Sequence, residues 1–323
     1  ISYCEHGIEF RDYGYGSGDT VGNTVTGNTV EYCYQGIRLW STSEDCIMEN
    51  TVSGNTVRHC GYYGEWDDEA AGIFLCADEG RNLYQNTVNG NTVYNCSNGI
   101  VLAAVNGGEC YYNTASGNTV HDCYYTGISL YADNGGEITY NLVTGNQVYL
   151  CNGYGGATGI RLYAQYIDYD YGYISHNTVD GNTVYQCANG IGLDADDGSD
   201  LMSNTISNNT IYNGTYYGIY LYTENEGEIT ACAVQDNEVY GWEMGIYLED
   251  LSGASIYNID ILDNVLYSGT TGNDYNIRAD HCDQLIISGN DVAHGQYHGI
   301  YLLNSDSVLV QGKKARIGTP EQA

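Results

Sequence analysis

The sequence predicts an all-β solenoid, a chain wound into coils that stack on one another, and three observations carry the prediction. The first is a steady period. The phrase from Asn86 to Leu102, NTVNGNTVYNCSNGIVL, returns along the whole chain; its second Asn recurs as Asn28, Asn55, Asn91, Asn118, Asn146, Asn182, Asn209, Asn237, Asn264 and Asn290. The spacings are 26 to 28 residues, with two steps of 36, and a period in this range marks a solenoid or a propeller. The second is the pattern inside each unit. Apolar residues arrive in three strand-sized bursts, such as Leu83 to Val88, Thr92 to Tyr94 and Ile100 to Leu102, separated by turn formers and without helical periodicity. A propeller blade needs about 40 residues and four antiparallel strands, so a coil that closes on itself fits better. The third is the single proline, Pro320, which leaves the strand amides free to pair.

The chain of 323 residues therefore makes about eleven coils of about 27 residues, three short strands each, in one rod-shaped domain over residues 1–312. At one strand spacing per coil the rod is roughly 50 Å long. Residues 313–323 form a tail in which Lys313, Lys314 and Arg316 break the acidic style of the rest.

Each strand pairs with its counterpart one coil along. Val93, Ile100 and Leu102 point inward, and Thr92, Tyr94 and Val101 point out, by the alternation of strand side chains. Asn at a fixed turn position suits left-handed backbone, with its amide bonding the backbone and the Asn above and below, so a structural Asn ladder is expected. Cys4, Cys33, Cys60, Cys96, Cys123, Cys151 and Cys187 share one slot. Parallel Cβ vectors in a vertical stack oppose the disulfide torsion, so these read as a buried thiol ladder. Cys46, Cys76, Cys110, Cys232 and Cys282 fall near the following edge and are the better disulfide candidates.

Two insertions interrupt the regularity, and inserted loops on a solenoid are where binding concentrates. The first holds Tyr62, Tyr63, Glu65, Trp66, Asp67 and Asp68; the second runs on through Tyr166, Asp168 and Asp170. Simple tolerance of insertions at a turn is the plain alternative. After each G-I-x-L strand the next turn is acidic, most densely at Asp194, Asp196, Asp197 and Asp200 on one coil above Glu224, Glu226 and Glu228 on the next. Counting from the closing Gly places Asp196 over Glu224 and Asp200 over Glu228, like charges about 5 Å apart. Calcium, which takes six to eight oxygens, a protonated carboxyl or plain solvation would each relieve the repulsion.

Tyrosine is the other outlier, with 35 residues. Tyr94, Tyr149, Tyr185, Tyr212, Tyr240 and Tyr267 repeat in one outward slot, and Tyr220, Tyr247 and Tyr301 in another. Such columns are amphipathic surfaces for sugar rings or another protein, though β-propensity alone also favours Tyr.

Acidic residues number 41 against nine Lys and Arg, a net charge of −32. No basic face exists to neutralise phosphates, which excludes nucleic acid. An acidic polysaccharide is an awkward partner without a bridging cation, and no apolar run reaches the ~18–20 residues of a membrane span.

The pattern N-T-V-x-x-C-x-x-G-I-x-L resembles the right-handed parallel β-helix repeats of the NosD-like and carbohydrate-binding/sugar-hydrolase group, over about residues 1–312. That resemblance implies an exported protein and a polysaccharide partner, but the group holds lyases, glycosidases, epimerases, adhesins and envelope proteins alike. The Asp-Pro-His-Asp signature of β-helix alginate epimerases is absent. Asp196-Asp197 is similar to the paired Asp of pectin hydrolases, but no Gly-His-Gly follows it. β-Helix lyases generally use a Lys or Arg base, and Arg161 lies one coil from Asp194.

Two functions stay open. One is a non-enzymatic structural or polysaccharide-binding solenoid of the cell surface or envelope, self-assembling through Tyr ladders and acidic, calcium-bridged edges. The other is a secreted glycoside hydrolase or lyase, with Asp196 and Glu224 as the catalytic carboxyls at the ~5–5.5 Å of a retaining pair. The regularity of the repeat favours the first, since an active site breaks a pattern in one place.

Overall fold

The structure, a computed structural model, describes residues 1–11, 18–42, 46–61, 70–153, 156–167, 170–251, 254–267, 275–293 and 298–312. The repeat unit around the phrase Asn86 to Leu102 forms four strands rather than three: Asn82–Tyr84, Thr87–Asn89, Thr92–Tyr94 and Asn98–Ala104. The burst from Leu83 to Val88 splits because Gln85 takes a left-handed φ of 56° and turns the chain. Repetition stacks these strands into three short-strand sheets and one long-strand sheet of 9, 11, 10 and 11 strands respectively, in which every strand pair is parallel. Because the smallest of the four sheets has 9 strands, about nine turns are complete, not eleven.

In most short strands the middle residue is buried and its neighbours are half-buried, as at Thr92–Tyr94. Val93, Ile100 and Leu102 all point into the core as expected, each contributing about 1.5–3 kcal/mol by burial. Val101 points outward but is buried all the same. It packs with Phe74, Cys76, Ala103 and Tyr131 in a second apolar strip on the outer face of the long sheet. The Gly of each Gly-Ile marks the closing corner: a Cβ on Gly99 would collide with Val120 and with the carbonyl of Gly127 one coil on.

The Asn ladder is present twice. One ladder links Asn50, Asn86, Asn113, Asn141, Asn177 and Asn204; the other links Asn55, Asn91, Asn118, Asn146, Asn182, Asn209, Asn237, Asn264 and Asn290. In both, each Asn backbone N–H and side-chain amide donate to the next Asn Oδ1, for example at 2.9 and 3.0 Å from Asn91 to Asn118. The left-handed residue is not the ladder Asn but the one before it, such as Gln85 or Gly90. That bend swings the Asn side chain inward, where it satisfies backbone groups that the corner removes from the sheets.

All twelve cysteines are free. In the shared slot Cys33, Cys60, Cys96, Cys123, Cys151 and Cys187 are buried, and Cys4 is exposed at the first coil. The disulfide expectation fails for Cys110, Cys232 and Cys282, whose side chains sit in the core, and for Cys76 in the outer strip. Cys46 is half-buried and also free.

Candidate functional site

The long strands present columns of outward side chains, and their register decides what meets. One column runs Ser129, Arg161, Gly192, Tyr220, Tyr247, Arg278, Tyr301; the next runs Tyr131, Tyr163, Asp194, Tyr222, Glu249, Asp280, Leu303. Unlike the inward Ile and Leu columns of the same strands, these change residue type at almost each rung. The result is a cleft of ≈ 280 Å³ on the outer face of the long sheet.

The Arg161 guanidinium anchors one side of this cleft. Its Nε and terminal nitrogen reach Asp194 Oδ2 at 2.8 and 2.7 Å, and its plane lies 3.9 Å from the Tyr163 ring. The Tyr220 hydroxyl donates to the same Asp194 oxygen at 3.0 Å and lies 3.3 Å from Thr158 Oγ1. Tyr220 fits only because the rung before it is Gly192, where a Cβ would strike its ring. Tyr217 stacks on Tyr247 at 4.8 Å and meets Tyr220 at 54°.

Burial pulls the Arg161 pKa down, but Asp194, Tyr220 and Tyr163 outweigh it and hold the guanidinium charged. Burial pushes the Tyr220 hydroxyl up and Asp194 adds to the shift; burial and Glu224 do the same at Tyr222, and burial and Glu249 at Tyr247. These phenols stay protonated at neutral pH, and Tyr220 and Tyr222 donate to carboxylates. Asn189 donates its amide to the Gly156 carbonyl at 2.8 Å, while its Oδ1 is buried in the cleft wall and has no partner among the described residues.

The residues singled out in the sequence divide. Asp194 does not join the acidic edge: it lies on the sheet face, drawn to Arg161, and is only 8% exposed. Asp200 does stand over Glu228, as counted. Asp196 follows the strand Asn189–Ala195 and Glu224 follows Tyr217–Thr223, with Ala195 paired to Thr223. Asp196 accepts from the Asp197 N–H at 2.8 Å and Asn225 Nδ2 at 3.1 Å, and Glu224 accepts from the Tyr222 hydroxyl at 2.9 Å. Burial, Asp197 and Glu224 raise the Asp196 carboxyl; burial and Glu228 raise Asp200. Asp197 and Asn225–Glu226 occupy the turns beyond, in left-handed backbone. Among the described residues no group of three or more His, Cys, Asp or Glu converges to hold a metal ion.

Tyr166 and Asp170 belong to a two-stranded antiparallel hairpin, Tyr166–Ile167 with Asp170–Tyr171. Tyr62, Tyr63, Glu65, Trp66, Asp67, Asp68 and Asp168 lie outside the described residues. The cleft itself was missed by sequence reasoning, which noted Arg161 one coil from Asp194 and the Tyr220 slot without joining them. The available signal was Gly192, a bare position in a column of large side chains.

The expected Tyr column runs through Tyr94, His121, Tyr149, Tyr185, Tyr212 and Tyr240, with ring centroids 4.8–5.2 Å apart and nearly parallel planes. Its rings cover one another, so interior faces are not open to a sugar.

The family described as right handed beta helix region matches residues 1–167 and 166–316. Among solved structures, the periplasmic alginate epimerase AlgG is similar with a TM-score of 0.52 at 14% identity, over 90% of this chain and 76% of that one. The Dettilon tailspike protein is similar with a TM-score of 0.52 at 16% identity, over 87% of this chain and 60% of that one. At these identities the likeness concerns the fold. No curated protein matches the chain.

Proposed function

The chain belongs to the right-handed β-helix family, and on that premise we propose that it is an exported, non-enzymatic solenoid that binds a polysaccharide along the outer face of its long sheet. The observation that carries this reading is the cleft in which Tyr217, Tyr220, Tyr222 and Tyr247 surround the Arg161–Asp194 pair. Aromatic walls with a few fixed polar groups suit sugar rings, which are apolar on their faces and polar at their edges. The fold alone does not imply this function; the cleft at these rungs is what supports it. A structural neighbour such as the alginate epimerase supports it as analogy.

The test is a printed glycan array probed with the wild-type chain and with Gly192→Val. Binding to one glycan group by the wild type, lost by about tenfold or more in Gly192→Val, is the expected result. No binding to any glycan overturns the reading.

Self-assembly through the acidic edge belongs to the same proposal, with calcium bridging carboxylates such as Asp200 and Glu228 that stack in register. Light scattering with and without calcium tests it, and a calcium-indifferent monomer rejects it.

One observation favours the enzymatic alternative: the raised Asp196 carboxyl beside Glu224 fits an acid and a carboxylate partner. Release of reducing ends from the bound glycan, abolished by Asp196→Asn or Glu224→Gln, would establish it in place of simple binding.

A further inference from the structure

The polar lining of the cleft is unbalanced. Tyr220 gives its hydroxyl proton to Asp194 and Tyr222 gives its own to Glu224, and Glu249 lines the cleft beside Tyr247. Arg161 spends Nε and a terminal nitrogen on Asp194. Among the described residues the one buried side-chain atom of the lining left without a partner is an acceptor, Asn189 Oδ1, in a residue only 8% exposed. In formal charge the lining holds one guanidinium against the two carboxylates of Asp194 and Glu249.

The same arrangement recurs further along the face. Arg278 lies four rungs from Arg161 in the same column, roughly 19 Å away at the strand spacing. It pairs with Asp280 Oδ2 at 2.6 Å and is surrounded by Tyr247, Tyr275 and Tyr301 at 5.4, 5.5 and 5.9 Å. Asp280 is 3% exposed, yet among the described residues its Oδ1 has no partner, and neither has Arg278 Nε. Here too the cation is already neutralised, and the node offers a ligand one idle donor, Arg278 Nε, and one idle acceptor, Asp280 Oδ1.

We propose that the ligand is an uncharged polysaccharide, read through its hydroxyl donors by the Asn189 cleft and again, four rungs on, by the Arg278–Asp280 node. Among the described residues an oligouronate meets only guanidinium groups already paired with a carboxylate, and it adds its charge to a chain already at −32; the hydroxyls of a neutral glycan donate to the idle Asn189 and Asp280 oxygens and accept from Arg278 Nε without adding charge. Buried acceptors left unpaired penalise a ligand without matching hydroxyls. This inference rests on the polysaccharide-binding reading and narrows it.

The experiment uses the full chain on an array of uncharged gluco-, manno- and galacto-oligosaccharides of graded length beside oligouronates. Uncharged glycans should bind, with affinity rising as length grows to reach the second node, and oligouronates should bind at least about tenfold more weakly. Preference for oligouronates overturns the inference and leaves polysaccharide binding standing; silence across the array overturns both. Asp280→Asn should weaken long oligomers by about tenfold and leave short ones unchanged. Should that variant lose its fold, Tyr301→Ala at the half-buried end of the node gives the same readout. Equal effects at every length, or none, remove the second node.

Discussion

Two groups of tyrosines sit on adjoining walls of one rod and do different things. On the third short-strand sheet, the column from Tyr94 to Tyr240 repeats an aromatic at one slot, and its rings stack at 4.8–5.2 Å with their faces covered. On the long sheet, Tyr220 follows Gly192 and precedes Tyr247 and Arg278, so rings tilt, hydroxyls find carboxylates and a cleft opens. Repetition makes a spine, and the loss of repetition makes a site. The same side chain is structural where its neighbours one coil away are alike, and available to a ligand where they differ.

The largest effect that would test this contrast is Arg161→Ala. Asp194 would then be a buried carboxylate without its cation, at a cost of about 3–5 kcal/mol, measurable as a fall in denaturation midpoint together with loss of glycan binding. An unchanged midpoint would mean that the pair does not organise the cleft.

Tyr149→Ala addresses the spine. It removes two stacked contacts, with His121 and Tyr185 at 4.8 Å each, worth about 1–3 kcal/mol together. Stability should fall while glycan affinity stays as in the wild type; a loss of affinity would show that the column binds sugar after all.

The smallest effect belongs to the acidic edge that adjoins the cleft. Burial and Glu228 raise the Asp200 carboxyl in the folded state, so the folded chain holds this proton more tightly than the unfolded one. Stability should therefore rise as pH falls from neutral towards the ordinary carboxylate value of about 3.9, and the penalty is fully present above the raised value. Asp200→Asn should flatten that rise and add at most about 1 kcal/mol at neutral pH, after allowance for solvent screening. A melting temperature that falls steadily on acidification would contradict the sign.

Much of the rod was legible before folding. The Asn28 to Asn290 series set the period, the G-I-x-L bursts identified inward Ile and Leu, and the thiol and tyrosine slots could be counted. Each is a one-dimensional regularity, and in a solenoid the residue one period away in sequence is the neighbour in space. Single residues were less legible: the bend at Gln85 is carried by a non-glycine in left-handed backbone, so a strand pair read as one burst.

What the sequence by itself determined is the stack, with its ladders and its charge, because identical units can bury their apolar face only against one another. Tertiary structure alone decided the cleft. Arg161, Asn189, Asp194, Tyr220 and Glu249 come from four successive coils, and they meet through side chains that leave their own columns. A period predicts which backbones pair; it does not predict that an arginine reaches past a glycine rung to the aspartate of the next column. That choice follows from the room Gly192 leaves, the desolvation of the ion pair and the packing of the rings above it.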